Sequence, residues 1–182
     1  MSVDLTKGQN IVLSKEGEGQ DLVTIGCGWD INNTSGNAFD VDLFVVSNNK
    51  EVAYFSNKVL YSGGVKLGED NLTGQGDGDD EFALFDYSKI PANVEKLHVC
   101  VNIYQAGSRN QSFGQIKNCY VRAVNTATQE EYCKFDLSED YSGSTGVVMG
   151  TLYRHTSGWK FKAIGNPVNG DINEITAATV SL

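Results

Sequence analysis

Polar and apolar residues alternate along much of this chain with a period of two, which is the pattern of a β-strand with one buried face. The clearest case is the segment 97–104, whose alternate apolar residues are Leu97, Val99, Val101 and Ile103. Other short apolar runs are separated by turns rich in Asn, Ser and Gly. They occupy residues 11–13, 22–29, 41–46 and 52–55.

Two later pairs of apolar runs have the spacing of β-hairpins. Residues 120–124 precede 132–137, and residues 148–155 precede 159–164 across the turn Thr156-Ser157-Gly158. No stretch shows a sustained period of 3.6 residues. About eight to ten short strands with few helical signals predict an all-β protein, an antiparallel β-sandwich formed by one domain over residues 1–182.

The charge of the chain limits its partners. Its 182 residues carry a net charge of −9 and a pI of about 4.6. This balance disfavours nucleic acid and anionic membranes as direct partners. The first seven residues lack the apolar run of a signal peptide, and no stretch approaches the roughly 20 apolar residues of a membrane span. We therefore expect a cytoplasmic protein.

The four cysteines lie far apart, in apolar surroundings and without Cys-x-x-Cys spacing. They are Cys27, Cys100, Cys119 and Cys133. In a reducing compartment we expect reduced thiols that pack as small apolar side chains. A thiol site for a soft metal is the alternative, and the sequence leaves it open.

Acidic residues concentrate in the segment 68–81, which holds six carboxylates among four glycines and no Lys or Arg. Two such charges about 4 Å apart repel by about 4 kcal/mol at an effective dielectric near 20. Asp30, Asp40 and Asp42 add to this group. The nine acids account for the whole net charge, because the other 14 acids match 14 basic residues.

A divalent cation is the simplest partner for these carboxylates. Calcium takes six to eight oxygen ligands, and glycines let the backbone turn and add carbonyl oxygens. In this interpretation the acids repel one another without metal, so Asp79→Asn is expected to leave the metal-free protein no less stable. Each smaller group also has a structural interpretation: Asp40 and Asp42 as charges that protect a sheet edge, and Asp30 as a turn residue.

Two known loop types resemble the acidic segment only in part. Residues 70–81 begin with Asp and end with Glu like an EF-hand loop, but Leu72, Gly74 and Gln75 stand where that loop needs oxygen side chains and a glycine. The glycine-rich run 74–78 is similar to phosphate-binding loops, yet it has no Lys and its acids repel phosphate.

Several motifs together resemble the TerD family of tellurium-resistance and stress-response proteins. They are Gly28–Asp30, Phe39–Asp42, residues 70–81, Gln111–Gln115, and Leu152–His155 with Trp159–Phe161. The resemblance implies a β-sandwich with calcium-binding loops at one end, acting in a cytoplasmic stress response without an established catalytic reaction. Its partners would be calcium ions and other stress-response proteins of the same system, including a membrane-bound one.

The metal-binding positions that the resemblance implies are Asp30, Asp40, Asp42, Asp70, Asn71, Thr73, Gly76, Asp77, Asp79, Asp80 and Glu81. This chain departs from the family pattern at Glu69, where members commonly have glycine. The extra carboxylate is either a ligand or a solvated charge.

An enzyme is the competing class. The chain has two histidines, His98 and His155, for which we expect structural roles, and it lacks His-Glu-x-x-His and Gly-x-Ser-x-Gly patterns. Clustered carboxylates could instead support a metal-dependent hydrolase acting on phosphoester or nucleotide substrates. Turnover with Mg²⁺ or Mn²⁺ but not Ca²⁺ would favour that alternative. A partner-docking module ordered by calcium is compatible with the first interpretation.

Overall fold

Two β-sheets face each other in a computed structural model that describes residues 2–14, 22–30, 39–69, 78–136 and 141–182. The first sheet contains, in spatial order, β1 (Val3–Asp4), β11 (Glu131–Asp136), β10 (Lys117–Asn125), β3 (Leu22–Asp30), β8 (Glu81–Asp86), β7 (Val65–Leu67) and β6 (Val59–Leu60). The second contains β2 (Asn10–Val12), β13 (Gly158–Val168), β12 (Gly146–His155), β9 (Lys96–Ile103), β4 (Val41–Ser47) and β5 (Val52–Ala53). The predicted β-sandwich is confirmed.

The core lies between the two sheets, and the alternation in the sequence identifies it correctly. Leu97, Val99, Val101 and Ile103 all belong to this core. The opposite face of β9 is also buried, because Cys100 packs with Phe44 and Ile175 in a second apolar cluster on the outer side of the second sheet. That face is covered by a helix which the sequence analysis did not predict.

This helix is α2 (Ile172–Thr179). Asp171 caps it by accepting a hydrogen bond from the Asn173 N–H, and the Glu174 side chain accepts one from the Asp171 N–H. The Ile175 side chain fills the space over Gly146, where a Cβ would lie 2.2 Å from Cδ1 of Ile175. Eight residues are too few to show a helical period, so the capping residues are the better sequence signal.

Both predicted hairpins are present, as β10 with β11 and β12 with β13. The described residues form 13 strands rather than eight to ten, because two-residue strands such as β1 and β6 are too short to leave a pattern. β1 pairs with β11 in the parallel direction, an exception to the antiparallel prediction. A strand that is distant in sequence is not constrained by a hairpin turn.

The remaining elements are short. They are α1 (Ala106–Arg109) and single 3₁₀ turns at Tyr61–Gly63 and Phe113–Gln115. Within the described ranges, no helix has the length and apolar character needed to cross a membrane.

Candidate functional site

The predicted metal ligands that the structure describes lie near the ends of three strands. Asp30 ends β3, Glu81 begins β8 after Asp79 and Asp80, and Asp40 and Asp42 flank the start of β4. The other predicted ligands lie outside the described residues. They are Asp70, Asn71, Thr73, Gly76 and Asp77.

Asp79 is held by a basic residue of the neighbouring strand β10. Nε of Arg122 lies 2.8 Å from Oδ1 of Asp79 and Nη2 lies 3.2 Å from Oδ2, so the carboxylate is held at both oxygens. The Tyr120 hydroxyl donates to Oδ1 at 3.1 Å. Arg122 also contacts Glu131 at 3.2 Å. The hydrogen bond to Asp79 is the main reason that the pKa of Arg122 is raised.

This ion pair corrects the expectation for Asp79→Asn. The acidic segment itself contains no Lys or Arg, whereas Arg122 lies 43 residues beyond Asp79 along the chain. Because Asp79 has a cationic partner from the protein itself, its removal leaves Arg122 without its main acceptor. The metal-ligand role of Asp79 stays a prediction, but the carboxylate is not only a repelling charge.

Two glycines of β3 make room for this ion pair. A Cβ at Gly26 would lie 2.0 Å from Oδ2 of Asp79, and a Cβ at Gly28 would lie 2.6 Å from the Tyr120 hydroxyl oxygen. Glycine weakens a strand interior and often marks a site of close approach. Here the approaching groups are the Asp79 carboxylate and its hydrogen-bond donor Tyr120.

Asp80 turns towards the end of β3. Its Oδ2 accepts a hydrogen bond of 2.9 Å from the Trp29 N–H. Partial burial raises the pKa of Asp80, and the negative charges of Asp79 and Asp30 raise it further. Asp30 in turn accepts a hydrogen bond from the Asn118 carboxamide. The negative charges of Asp79 and Asp30 therefore lie close enough to Asp80 to oppose its ionisation.

Glu81 connects the two sheets. It is buried, and its Oε2 accepts a hydrogen bond of 2.6 Å from the Leu43 N–H in β4. β5 pairs with β4 only at Val45 and Val46, so at Leu43 the Glu81 carboxylate takes the place of a neighbouring strand. Asp42 and Glu69 line a narrow gap beside Glu81.

The predicted ligands differ in exposure. Asp40 is buried, Asp42 is half-buried and Asp30 is exposed. Glu69 is fully exposed and lies 3.8 Å from the Lys58 ammonium, which favours the solvated role for this departure from the family pattern.

The donor chemistry of these acids suits a hard cation such as Ca²⁺, which prefers carboxylate oxygens. Among the residues that the structure describes, no three His, Cys, Asp or Glu side chains are arranged to hold a metal ion by themselves.

The cysteines and histidines occupy buried or locally bonded positions. All four cysteines are free thiols and buried, as expected from their surroundings. The pKa of Cys27 is raised, mainly by a hydrogen bond with Cys119 and secondly by burial. His98 is buried against the Thr151 hydroxyl at 2.9 Å, and burial lowers its pKa to about 4. His155 is exposed and contacts the Ser157 hydroxyl at 2.8 Å.

A cleft of about 950 Å³ on the outer side of the second sheet was not predicted. Asp42 and Asn102 lie directly opposite each other on β4 and β9 and contribute to its lining. Gln111, Ser112 and Gln115 also line it. The motifs Gln111–Gln115 and Phe39–Asp42 both contribute lining residues, but neither indicated an organic ligand.

The two facing sheets define the class of the fold, a β-sandwich. A group of carboxylates, whose oxygens suit a hard cation, lies where the acidic segment joins the first sheet. The TerD domain model matches residues 1–178. The chain therefore belongs to the TerD family of tellurium-resistance and stress-response proteins, as its motifs indicated.

Relatives match over nearly the full chain. General stress protein 16U of Bacillus subtilis (strain 168) is 39% identical, covering 96% of this chain and 95% of its own. Tellurium resistance protein TerD of Serratia marcescens is 39% identical, and the match covers 97% of this chain and 96% of that protein. A crystal structure of a telluride resistance protein (TerD) homologue from Streptomyces coelicolor A3(2) shares the fold, with a TM-score of 0.73 and 18% sequence identity. The match covers 87% of this chain and 96% of that one.

Proposed function

We propose that this chain binds calcium where β3, β4 and β8 meet, and that it serves its stress-response family as a non-catalytic binding module. The proposed ligands are the described acids Asp30, Asp40, Asp42, Asp80 and Glu81 together with Asp70, Asn71, Thr73, Gly76 and Asp77. Asp79, which is also a predicted ligand, has a second role in this proposal. Its ion pair with Arg122 holds the chain in place immediately before Asp80 and Glu81.

The observation that carries the proposal is the crowding of Asp30, Asp79 and Asp80. Arg122 neutralises part of this charge at Asp79, yet the pKa of Asp80 is still raised by burial and by both neighbouring carboxylates. A divalent cation removes that repulsion and favours the ionised form of every ligand. Calcium suits the site better than magnesium, because a loop with many carboxylates and glycines fits an irregular shell more readily than a strict octahedron.

Titration calorimetry on chelator-stripped protein tests the proposal directly. We expect saturable calcium binding that an equal, millimolar concentration of Mg²⁺ does not displace. Asp80→Asn should weaken it, because it removes one charged ligand while its side-chain oxygen can still accept from Trp29. Glu95→Gln is the matched control, since Glu95 is an exposed acid outside the site. Displacement by Mg²⁺, or equal weakening by both variants, would contradict a specific calcium site.

An assay for hydrolysis distinguishes the non-catalytic binding module from the alternative, a metal-dependent hydrolase. Purified protein with Mg²⁺, Mn²⁺ or Ca²⁺ should not turn over phosphoester or nucleotide substrates. Turnover with Mg²⁺ or Mn²⁺, lost in Asp80→Asn, would replace the binding module with an enzyme. We also propose a cytoplasmic location, supported by the four free and buried thiols, and association with other stress-response proteins of the same system, including a membrane-bound one.

A further inference from the structure

The cleft on the outer side of the second sheet is large enough for an organic ligand. Its volume of about 950 Å³ lies within the range of pockets that enclose small molecules. Phe44 and Asn102 contribute to its lining from β4 and β9, and Ile172 does so from the first turn of α2. The cleft therefore begins where the apolar cluster beneath α2 ends. Asp80 and Glu81 do not line it, although Asp42 lines both the cleft and the gap beside Glu81.

Asn102 is the most informative residue of the cleft. It is only 7% exposed, no hydrogen bond joins its carboxamide to the described part of the protein, and its polar atoms open onto the cleft. A carboxamide in this position can hydrogen-bond with water or with a bound molecule. A carboxamide offers both donors and an acceptor, so its partner should carry both kinds of group.

The described lining residues themselves supply no positive charge for an anion, although the Arg109 guanidinium lies over the Tyr104 ring at 5.4 Å from its centroid. The described lining residues include the carboxylates Asp42 and Asp171 but no Lys, Arg or His. Asp171 is already engaged as the cap of α2. The other polar side chains of the lining carry carboxamide or hydroxyl groups, among them Asn110, Asn169 and Ser112. These groups favour a ligand that is uncharged and rich in hydroxyls.

Exposed aromatic rings complete the lining. Phe55 is 51% exposed and Tyr104 is 40% exposed, although both are large apolar side chains. Such rings bind well to a ligand that has an apolar face as well as hydrogen-bonding edges. Sugars combine these properties, because one face of the ring presents C–H groups while the edges carry hydroxyls.

The rim of the cleft is held in a fixed shape. The Ser112 N–H donates to Oε1 of Gln115, closing a capping box around the 3₁₀ turn Phe113–Gln115. The Thr145 hydroxyl exchanges hydrogen bonds with the backbone of Gly170, beside the start of α2. A pocket that is already formed loses less entropy when it binds.

We propose that this cleft binds a neutral saccharide of about one to three rings. Asn102 provides hydrogen bonds at its buried side, and Phe55 and Tyr104 contact the ring faces. This activity goes beyond the proposed calcium binding and does not depend on it.

Sugars that share one ring but differ in charge test the proposal. Two-dimensional NMR of the chelated protein would follow the side-chain amide signals of Asn102 during titration with glucose, galactose, mannose, maltose, glucosamine and glucose 6-phosphate. We expect saturable shifts with at least one neutral sugar and none with glucose 6-phosphate. Shifts with glucosamine alone would indicate an organic-cation site. That result, or no shift with any neutral sugar at tens of millimolar, would overturn the proposal.

Substitutions of cleft residues test whether the sugar binds in this cleft. Asn102→Ala and Tyr104→Ala should each weaken sugar binding about tenfold, whereas Asn49→Ala, at an exposed turn outside the cleft, should not change it. Calcium titration of the same variants should match that of the unaltered protein. Loss of calcium binding in Asn102→Ala would reflect either a folding defect or a disturbed Asp42, which lies opposite Asn102, and Tyr104→Ala then provides the test. Unchanged sugar affinity in both cleft variants would refute the assignment, whatever the outcome for calcium.

Discussion

Arg122 holds both carboxylate oxygens of Asp79, at 2.8 Å from Nε and 3.2 Å from Nη2. Bidentate pairs of this kind are among the stronger charge-assisted hydrogen bonds. The pair ties the residue before Asp80 and Glu81 to β10, across the strand β3 that lies between β10 and β8. The start of β8 is therefore fixed by a side chain of another strand as well as by its own backbone hydrogen bonds.

Asp79→Asn should destabilise the metal-free protein by about 1 to 2 kcal/mol, because Arg122 loses the negative charge and one of its two oxygen contacts while the exposure of the pair limits the effect. Urea unfolding in the presence of chelator measures the change. Glu131→Gln is the control, since Glu131 accepts a single contact of 3.2 Å from Arg122 and its loss should have a smaller effect. Equal stability of Asp79→Asn and the unaltered protein would restore the expectation drawn from the sequence.

Gly26→Ala should destabilise the protein by about 1 to 3 kcal/mol, because its Cβ would overlap Oδ2 of Asp79. Thermal unfolding is a suitable measurement. Gly107→Ala in α1 is the matched control, because a Cβ there meets no atom within 4 Å. The loss caused by Gly26→Ala should be smaller in an Asp79→Ala background, where the clash is absent. If the losses of stability from Gly26→Ala and Asp79→Ala are additive, the clash with Asp79 is not the cause of the Gly26→Ala effect.

Calcium should raise the melting temperature if the proposed site exists. At a hundredfold excess over Kd, binding to the native state alone stabilises it by about 2.7 kcal/mol. For a domain of this size the corresponding shift is about 5 to 10 °C. High salt should restore part of the stability lost on chelation by screening the carboxylates. Melting curves that are identical with calcium and with chelator would argue against the site.

The burial of His98 predicts a loss of stability between pH 6.5 and about pH 4. Its pKa falls from 6.5 in the unfolded chain to about 4 in the folded protein. Within this window the unfolded state binds more protons, so the free energy of unfolding decreases as the pH falls. His98→Gln should reduce that slope, whereas Asn49→Ala, at an exposed turn, should leave it unchanged. Equal slopes in all three proteins would assign the pH dependence to other groups.

The alternation of residues by itself determined the β-rich architecture. A strand places alternate side chains on opposite faces, so Leu97, Val99, Val101 and Ile103 could be assigned to the core without knowing their neighbours. Turn residues likewise determined the hairpin of β12 and β13. The acidic segment was visible for a similar reason, because its charges are adjacent in the chain.

Only the tertiary structure decided which distant side chains meet. Period and spacing specify the face of a strand but not which strand lies beside it, so neither the pairing of Arg122 with Asp79 nor their packing against Gly26 could be predicted. The same holds for Asn102, whose position in the lining of the cleft is evident only once α2 and Tyr104 are placed around it. Local patterns determined the elements of this protein, and contacts between residues far apart in sequence determined its sites.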